Sequence, residues 1–529
     1  MNTTPSENAT IAAGEPVRKS HPKGLYVLFA IEMWERFNYY GMRAILIYFM
    51  TQALLFKLDF ASNLYGSYIS LLYLTPLVGG YIADRFWGNK RSIFIGGIVM
   101  VIGEVILFIC SSIYHSSPDL SNILFFSGLG FMIAGNGLFK PNISSLVGQL
   151  YPKGDLRVDP AYTIFYMGIN LGAFIGPILC GTVGNTGDPA DFKWAFLVAG
   201  IGMIISLIVQ KIYHNKYVHD PEGKVLGLKP GDMDVDKLNV EASSHIKPPP
   251  AIWANPVFII IGMLAFAAIA IGALYLDTRI NYLFYLLAGS FLFIIIIIFS
   301  DKNLTRNEQQ RIWVMVIIAF FVVFFWGAYE QTGASLAVFG DQQTDRHLWG
   351  DYVMPPSYFQ SFNSAFIIIF APILAWFWLK LGKKQPATPT KMGMGLILLA
   401  LGYLWIAYGV NDASTKQVSM IWLTGLYLLH TLGELCLSPI GLSLFNKLSP
   451  LRFASLLMAV WFTGNAGGNK LAGVLSSLYP EGGKTTNFLG YQMSNLHEFF
   501  MLFVFMGGTA GIVLLLLSKR LQKMMHGIQ

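Results

Sequence analysis

The chain has 529 residues, 54% of them hydrophobic and only 12% charged, which excludes an ordinary soluble domain. Its formal charge of +7 raises nucleic acid as a partner, but the basic residues are spread through short links between long apolar runs, so no nucleic-acid partner is expected. Long apolar runs joined by short polar links describe an all-α polytopic membrane protein.

Residues 1–23 are polar and read as a cytoplasmic tail. The first apolar run follows and is too long, and too charged, for a removable leader. Within it Glu32, Glu35, Arg36, Tyr39 and Arg43 recur at helical spacing and share one face. Each charge at mid-bilayer costs roughly 2.5–3.5 kcal/mol, so such a stripe needs a wet cavity and partners. A structural ion pair of Glu32 with Arg36 would leave Glu35 and Arg43 unexplained.

Fourteen spans are expected, near 24–52, 62–84, 91–113, 121–146, 159–183, 192–214, 252–274, 281–300, 311–340, 357–380, 391–410, 417–446, 453–479 and 493–518. The second ends in Gly80-x-x-x-Asp84-Arg85 followed by Lys90 and Arg91, which resembles the cytoplasmic loop between the second and third helices of major facilitator transporters. The third carries Glu104, to which the pattern assigns no role. The fourth holds Lys140 in its last turns, where a snorkelling lysine is the plain alternative. In the fifth, Gly168, Gly172 and Gly176 read as close helix packing, beside the polar Asn170.

Residues 215–251 are polar, end in three prolines and read as a cytoplasmic linker. Residues 252–300 form a hairpin of two spans without mid-span charge, expected to be peripheral and lipid-facing. The organisation is thus a six-helix bundle at 24–214, the hairpin, a second six-helix bundle at 301–518 and a cytoplasmic tail at 519–529. A six-plus-six count fits pseudo-symmetric transporter halves. The second bundle contributes Trp326, Glu330, Asn363, Glu434, Trp461 and Lys470. His430 and Glu434 lie at i, i+4, but no third His or Cys stands suitably near in sequence, so no metal is expected. The three cysteines, Cys110, Cys180 and Cys436, all fall in apolar spans and indicate neither a disulfide frame nor a metal site.

Alternate links and both ends hold most of the Lys and Arg, whereas the opposite links contain only Lys57, Lys193, Arg279, Arg346, Lys416 and Lys484. By the positive-inside rule both termini are cytoplasmic.

With Arg36 neutralised by Glu32 or Glu35, Arg43 and Lys140 remain as spare cations on the first bundle, facing Glu330 and Glu434 on the second. A slot positive on one wall and negative on the other suits a short zwitterion. A dipeptide spans about 7 Å at roughly 3.3–3.6 Å per extended residue, so its carboxylate meets Arg43 and Lys140 and its ammonium meets Glu434. Tyr39, Tyr40, Tyr73, Trp326, Trp461 and Phe462 would line side-chain pockets. In the empty slot, Arg43–Glu330 and Lys140–Glu434 are expected to pair across the halves. Protonating a glutamate while a substrate carboxylate satisfies the freed cation would let a proton gradient drive the cycle.

Glu32-x-x-Glu35-Arg36-Phe37-x-Tyr39-Tyr40-Gly41 closely resembles the first-helix signature of the proton-dependent oligopeptide transporter (POT) family of the major facilitator superfamily, and Phe165-Tyr-Met-Gly-Ile-Asn-Leu-Gly172 resembles its fifth-helix signature. Tyr73-Leu-Thr-Pro76, Phe139-Lys-Pro-Asn142, Trp326 with Glu330-Gln331, Phe362-Asn363 and Gly433-Glu434 add to the likeness over nearly the whole chain. The resemblance implies a major facilitator fold with a two-helix insertion, as in bacterial members, and proton-coupled uptake of di- and tripeptides across the cell membrane (the inner membrane in a Gram-negative cell). It implies that Arg43, Lys140, Asn170 and Tyr40 bind the peptide's carboxyl end and backbone, that Asn363 and Glu434 hold the amino end, and that Glu32, Glu35, Arg36 and Glu330 serve proton coupling and gating. No cofactor and a monomer in the lipid bilayer follow as expectations. Two departures stand out. Gly66 occupies the place of a proton-linked histidine in animal members, and Ser364 rather than proline follows Asn363, leaving the bend of that span open. The rival readings are a symporter of the same family for another small anion or peptidomimetic, and a non-transporting peptide receptor. An intramembrane hydrolase lacks both a nucleophile with its base and a metal with its water.

Overall fold

A computed structural model describes residues 20–152, 154–229, 255–348, 350–410 and 417–527. The tail expected at 1–23 therefore falls mostly outside the described residues, as does the greater part of the linker expected at 215–251. The described chain is almost wholly helical. Its α-helices are α1 (Lys23–Tyr48), α2 (Leu58–Ile82), α3 (Asn89–Ile113), α4 (Pro118–Gln149), α5 (Val158–Gly184), α6 (Phe192–Tyr217), α7 (Pro256–Ile280), α8 (Tyr282–Phe299), α9 (Arg306–Tyr329), α10 (Ser335–Gln342), α11 (Phe359–Leu381), α12 (Thr388–Gly409), α13 (Met420–Leu448), α14 (Ala454–Ser476) and α15 (Leu496–Met524). The short α10 continues α9 after one 3-10 turn at Glu330–Gly333, so the two make a single broken span. Two small strand pairs lie between helices: β1 (Thr344–Asp345) parallel to β2 (Val418–Ser419), and β3 (Thr486–Phe488) antiparallel to β4 (Tyr491–Met493).

Local chemistry sets the helix ends. Pro118 opens α4 and Pro256 opens α7, positions where a missing N–H costs nothing. Thr305 and Glu308 bond reciprocally in a capping box at the start of α9, and Asn495 caps α15 through the Glu308-like position Glu498. At the α4–α5 turn, the side chain and backbone N–H of Arg157 hold the Asp155 carboxyl down at about 2, so this pair stays charged at physiological pH. The Arg157 guanidinium also donates to the Ser20 carbonyl and so ties down the chain entering α1.

α3 packs on α4, α1 on α5 and α6, α12 on α13 and α15, and α9 on α14. The α5 glycines act as expected: a Cβ on Gly176 would meet the Phe37 carbonyl of α1 at 2.5 Å, and one on Gly168 would meet the Phe29 ring at 2.9 Å. Two further contacts, α2 with α14 and α5 with α11, join the first six helices to the last six.

Among the described residues, eleven spans are long and apolar enough to cross a membrane, counting α9 and α10 as one. The three long helices outside that set, α1, α2 and α14, carry many of the buried polar groups. Their polarity is affordable because it is turned inward: Glu32, Glu35, Arg36, Arg43 and Lys470 are all buried. Exposed isoleucines and aromatics cover the outside of α7 and α8 (Ile261, Ile269, Tyr285, Phe293), as a lipid-facing hairpin requires. The hairpin is nonetheless more than peripheral. Asp277, three residues beyond the expected end of its first span, is fully buried and bonded to α14. α11 runs unbroken through Asn363 and Ser364, and its internal proline is Pro372.

Candidate functional site

The α1 stripe forms as expected, and both of its glutamates hold Arg36. The guanidinium sits 3.2 Å from Glu32 Oε1 and makes a two-pronged contact with Glu35, Nε to Oε2 at 2.5 Å and Nη2 to Oε1 at 2.7 Å. Asn136 of α4 donates to the same Glu35 Oε1 at 3.2 Å. Among the described residues, Glu32 Oε2 is buried with no hydrogen-bond partner. The Arg36 guanidinium also lies over the Tyr39 ring, 5.1 Å from its centroid.

Two turns further along, Arg43 crosses between the halves. Its Nη2 is joined directly to Glu330, at the point where α9 breaks, and its Nε donates to the Tyr65 hydroxyl at 2.5 Å. Tyr40 flanks the guanidinium, whose carbon is 5.9 Å from the ring centroid. Gln331 fixes the break by donating to the Gly327 and Ala472 carbonyls, both at 3.0 Å, while its Oε1 accepts from Ser335. Glu330 is thus held next to a break that Gln331 ties to both α9 and α14.

Lys140 lies 4.7 Å from the Tyr73 ring centroid and within electrostatic reach of Arg36, Glu35, Glu32 and Glu330. It is not paired with Glu434, contrary to the expected second cross-link. Glu434 Oε2 instead accepts from the Tyr329 hydroxyl at 2.5 Å and from Asn363 Nδ2 at 3.0 Å, and Asn363 also reaches Thr431 Oγ1. Both of these donors are neutral and sit on Oε2, so they orient the Glu434 carboxylate and leave Oε1 free to accept from a cation. Trp326 stands edge-on to Tyr329, centroids 5.2 Å apart, with its indole N–H buried and unpartnered.

Other expected residues are placed less simply. Asn170 donates back to the Tyr166 carbonyl of its own helix at 2.9 Å. Trp461 packs on Phe445, centroids 5.0 Å apart, within the α13–α14 contact. Glu104 gains a role: Asn38 of α1 donates to it at 2.7 Å, inside the first group of helices. His430 packs on the Tyr403 ring at 4.8 Å. Tyr65, Asn136 and Tyr329 escaped the sequence reading. Each lies within one helical turn of a residue that was singled out, in space or in sequence, and a buried hydroxyl or amide facing a charge is the only signal that marks them.

Gly66 has a steric cause. A Cβ there would meet Gly473 Cα at 2.7 Å and the Asn469 carbonyl at 2.9 Å, so α2 and α14 cross too closely for any side chain, histidine included. Gly66→Ala is expected to destabilise the protein by roughly 1–3 kcal/mol through overpacking, read as a lower unfolding temperature in detergent. An unchanged unfolding temperature would mean that the seam yields freely.

The POT family model matches residues 90–492. The chain is 35% identical over 515 residues to the uncharacterized transporter YclF of Bacillus subtilis (strain 168), covering 96% of each protein. It is 31% identical over 527 residues to the di-/tripeptide transporter of Lactococcus lactis subsp. cremoris, covering 96% of this chain and 97% of that protein. It also aligns with the crystal structure of peptide transporter POT in complex with sulfate at a TM-score of 0.78 and 32% identity, covering 97% of each chain.

Proposed function

The chain belongs to the POT family, and from that premise we propose that it is a proton-coupled symporter importing di- and tripeptides by alternating access. It is a multi-pass membrane protein with the major facilitator fold, and its family and neighbours are transporters rather than enzymes. The di-/tripeptide specificity of the Lactococcus relative is carried over here as part of the proposal.

The observation that carries the reading is the pairing of Arg43 with Glu330 across the halves, with Lys140 and Glu434 each within electrostatic reach of Glu330. A peptide carboxylate reaching Arg43 and Lys140 competes with Glu330 for the guanidinium. Once released, Glu330 is a buried carboxylate without its counter-ion, and taking a proton removes that penalty. Substrate and proton therefore favour the same step. The peptide's ammonium goes to Glu434, which Tyr329 and Asn363 hold in place, while Tyr40, Tyr73 and Trp326 flank the slot. Glu32, Glu35 and Arg36 form the second buried charge cluster through which protonation can bias the first group of helices.

The proposal includes cytoplasmic termini, which the Lys/Arg distribution supports by the positive-inside rule, and a place in the cell membrane (the inner one in a Gram-negative cell). Tyr48 donates to the Ala337 carbonyl, Gln52 to Asp341 and Ser361 to the Phe174 carbonyl, all toward the face opposite the termini. On this orientation the halves are bonded at the outer side. The energy source is the proton gradient, the lipid bilayer is the surrounding medium, and the working unit is a monomer.

Counterflow of labelled dialanine in proteoliposomes, with and without an inward proton gradient, tests the proposal. Expected is exchange in both conditions and accumulation above equilibrium only with the gradient. Net accumulation that is the same with and without the gradient removes the symport half, and absence of exchange removes the peptide half.

A further inference from the structure

Lys470 of α14 is 1% exposed, and its ammonium makes three bonds: to Asp277 Oδ2 at 2.5 Å, to Ser67 Oγ at 3.0 Å and to Asn281 Oδ1 at 3.1 Å. Asp277 is 0% exposed. Its Oδ2 also accepts from Ser67 Oγ at 2.5 Å, and its Oδ1 accepts from the Leu283 N–H at 2.9 Å. The three partners come from two places. Ser67 belongs to α2, while Asp277 and Asn281 form the tip of the α7–α8 hairpin, where Asn281 takes a left-handed conformation (φ 49°) to turn the chain. A buried charge pair is costly unless its geometry and hydrogen bonding are complete; here every ammonium proton has an acceptor.

The placement has a mechanical meaning. α7 is anchored to the first helices: Ile259, Met263 and Ala267 pack with Val99, Ala134 and Leu138 of α3 and α4. α8 lies against α14. The hairpin therefore straddles the seam, and every bond of Lys470 runs from the last six helices to the first six or to the hairpin docked on them. The same ammonium sits one turn from the glycine crossing of Gly66 and Gly473, with Ser476 and Ser62 bonded at 3.2 Å beyond it. Asn281 also lines a surface cleft of about 470 Å³ with Asp59, Asn63 and Lys484, so water stands next to the cluster on the outer side.

We propose that Lys470 is the bolt of a latch whose keeper is Asp277, Asn281 and Ser67, and that the inserted hairpin is thereby a working part of the outer gate. When α14 separates from α2, all three bonds of Lys470 break together and the ammonium is hydrated through the adjoining cleft. The latch rests on the alternating-access part of the proposed function and not on the identity of the solute.

Its test is the distance between spin labels at the exposed positions Leu55 and Glu481, measured by pulsed electron resonance on the full chain in lipid nanodiscs. Asp277→Asn leaves Lys470 buried without a counter-charge, and the fraction of molecules at the longer, open distance is expected to rise roughly tenfold or more. Lys470→Gln is expected to act in the same direction, which covers the case in which one single variant fails to fold. The double variant D277N/K470Q, with no unpaired charge left, is expected to fall back toward the wild-type distribution. Distances in the single variants that match the wild type, or a double variant more open than either, overturn the latch. Dialanine counterflow on the same samples keeps the two readings apart: shifted distances without counterflow support the latch and sink only the peptide assignment.

Discussion

Glu330→Gln is expected to abolish proton-driven accumulation of dialanine while leaving exchange down a peptide gradient measurable. Glu330 is bonded directly to Arg43 and is fixed there by the broken α9–α10 span, whose Gln331 is pinned on both sides. Glutamine keeps the size and a hydrogen-bonding oxygen but cannot change charge. Removing one member of a buried pair costs about 3–5 kcal/mol, equivalent to roughly two to three and a half orders of magnitude in the balance between the closed and open arrangements. Arg43 is left with neutral neighbours, the Tyr65 hydroxyl, Tyr39 and the Tyr40 ring, none of which can balance its charge. On the proposed mechanism, the variant lacks both the lock that holds the empty transporter and the site that couples its release to a proton. The check is a pair of measurements on one preparation, gradient-driven uptake and counterflow. Accumulation at the wild-type level in the variant would show that protons enter elsewhere, and the Glu32–Glu35–Arg36 cluster would be the next place to look.

Much of this site was legible before any coordinates, and for a single physical reason. A charge inside an apolar run is expensive, so Glu35, Arg36, Arg43, Lys140, Glu330 and Glu434 announce themselves wherever they stand. The expected Arg43–Glu330 contact could be guessed because each was left over after local neutralisation. The expected second contact does not form: Lys140 lies against the Tyr73 ring near the α1 charges, and Glu434 is oriented by Tyr329 and Asn363, neighbours that only the fold brings together. Asp277 was missed through a boundary. The apolar run ends at Leu274, whereas α7 continues to Ile280, so the pattern reads the buried Asp277 as a loop residue and offers no partner for Lys470. Hydroxyls such as Tyr65 are harder still, since tyrosine is common in apolar spans and only geometry shows which one meets a cation.

Glu434→Gln is expected to weaken dialanine binding by roughly 10- to 150-fold, from the loss of a charge-assisted hydrogen bond worth about 1.5–3 kcal/mol. The fold is expected to tolerate the change. A glutamine oxygen can still accept from Tyr329 and Asn363, and no cation depends on Glu434 for its charge balance, since Lys140 is not its partner. That independence makes the experiment specific. On the proposed mechanism, any variant of the Arg43–Glu330 pair disturbs gate and substrate site at once, whereas at Glu434 the loss is expected to fall on the ligand's ammonium alone. N-acetyl-dialanine supplies the control, because it keeps the carboxylate for Arg43 and Lys140 and has no ammonium to lose. Counterflow inhibition by the two compounds is to be compared in wild type and variant. The wild type should prefer the free dipeptide strongly, and the variant should treat the pair nearly alike, mainly because dialanine worsens. An unchanged preference would place the amino end elsewhere in the slot, and equal losses for both compounds would make Glu434 a structural carboxylate that holds Tyr329 and Asn363 rather than the peptide.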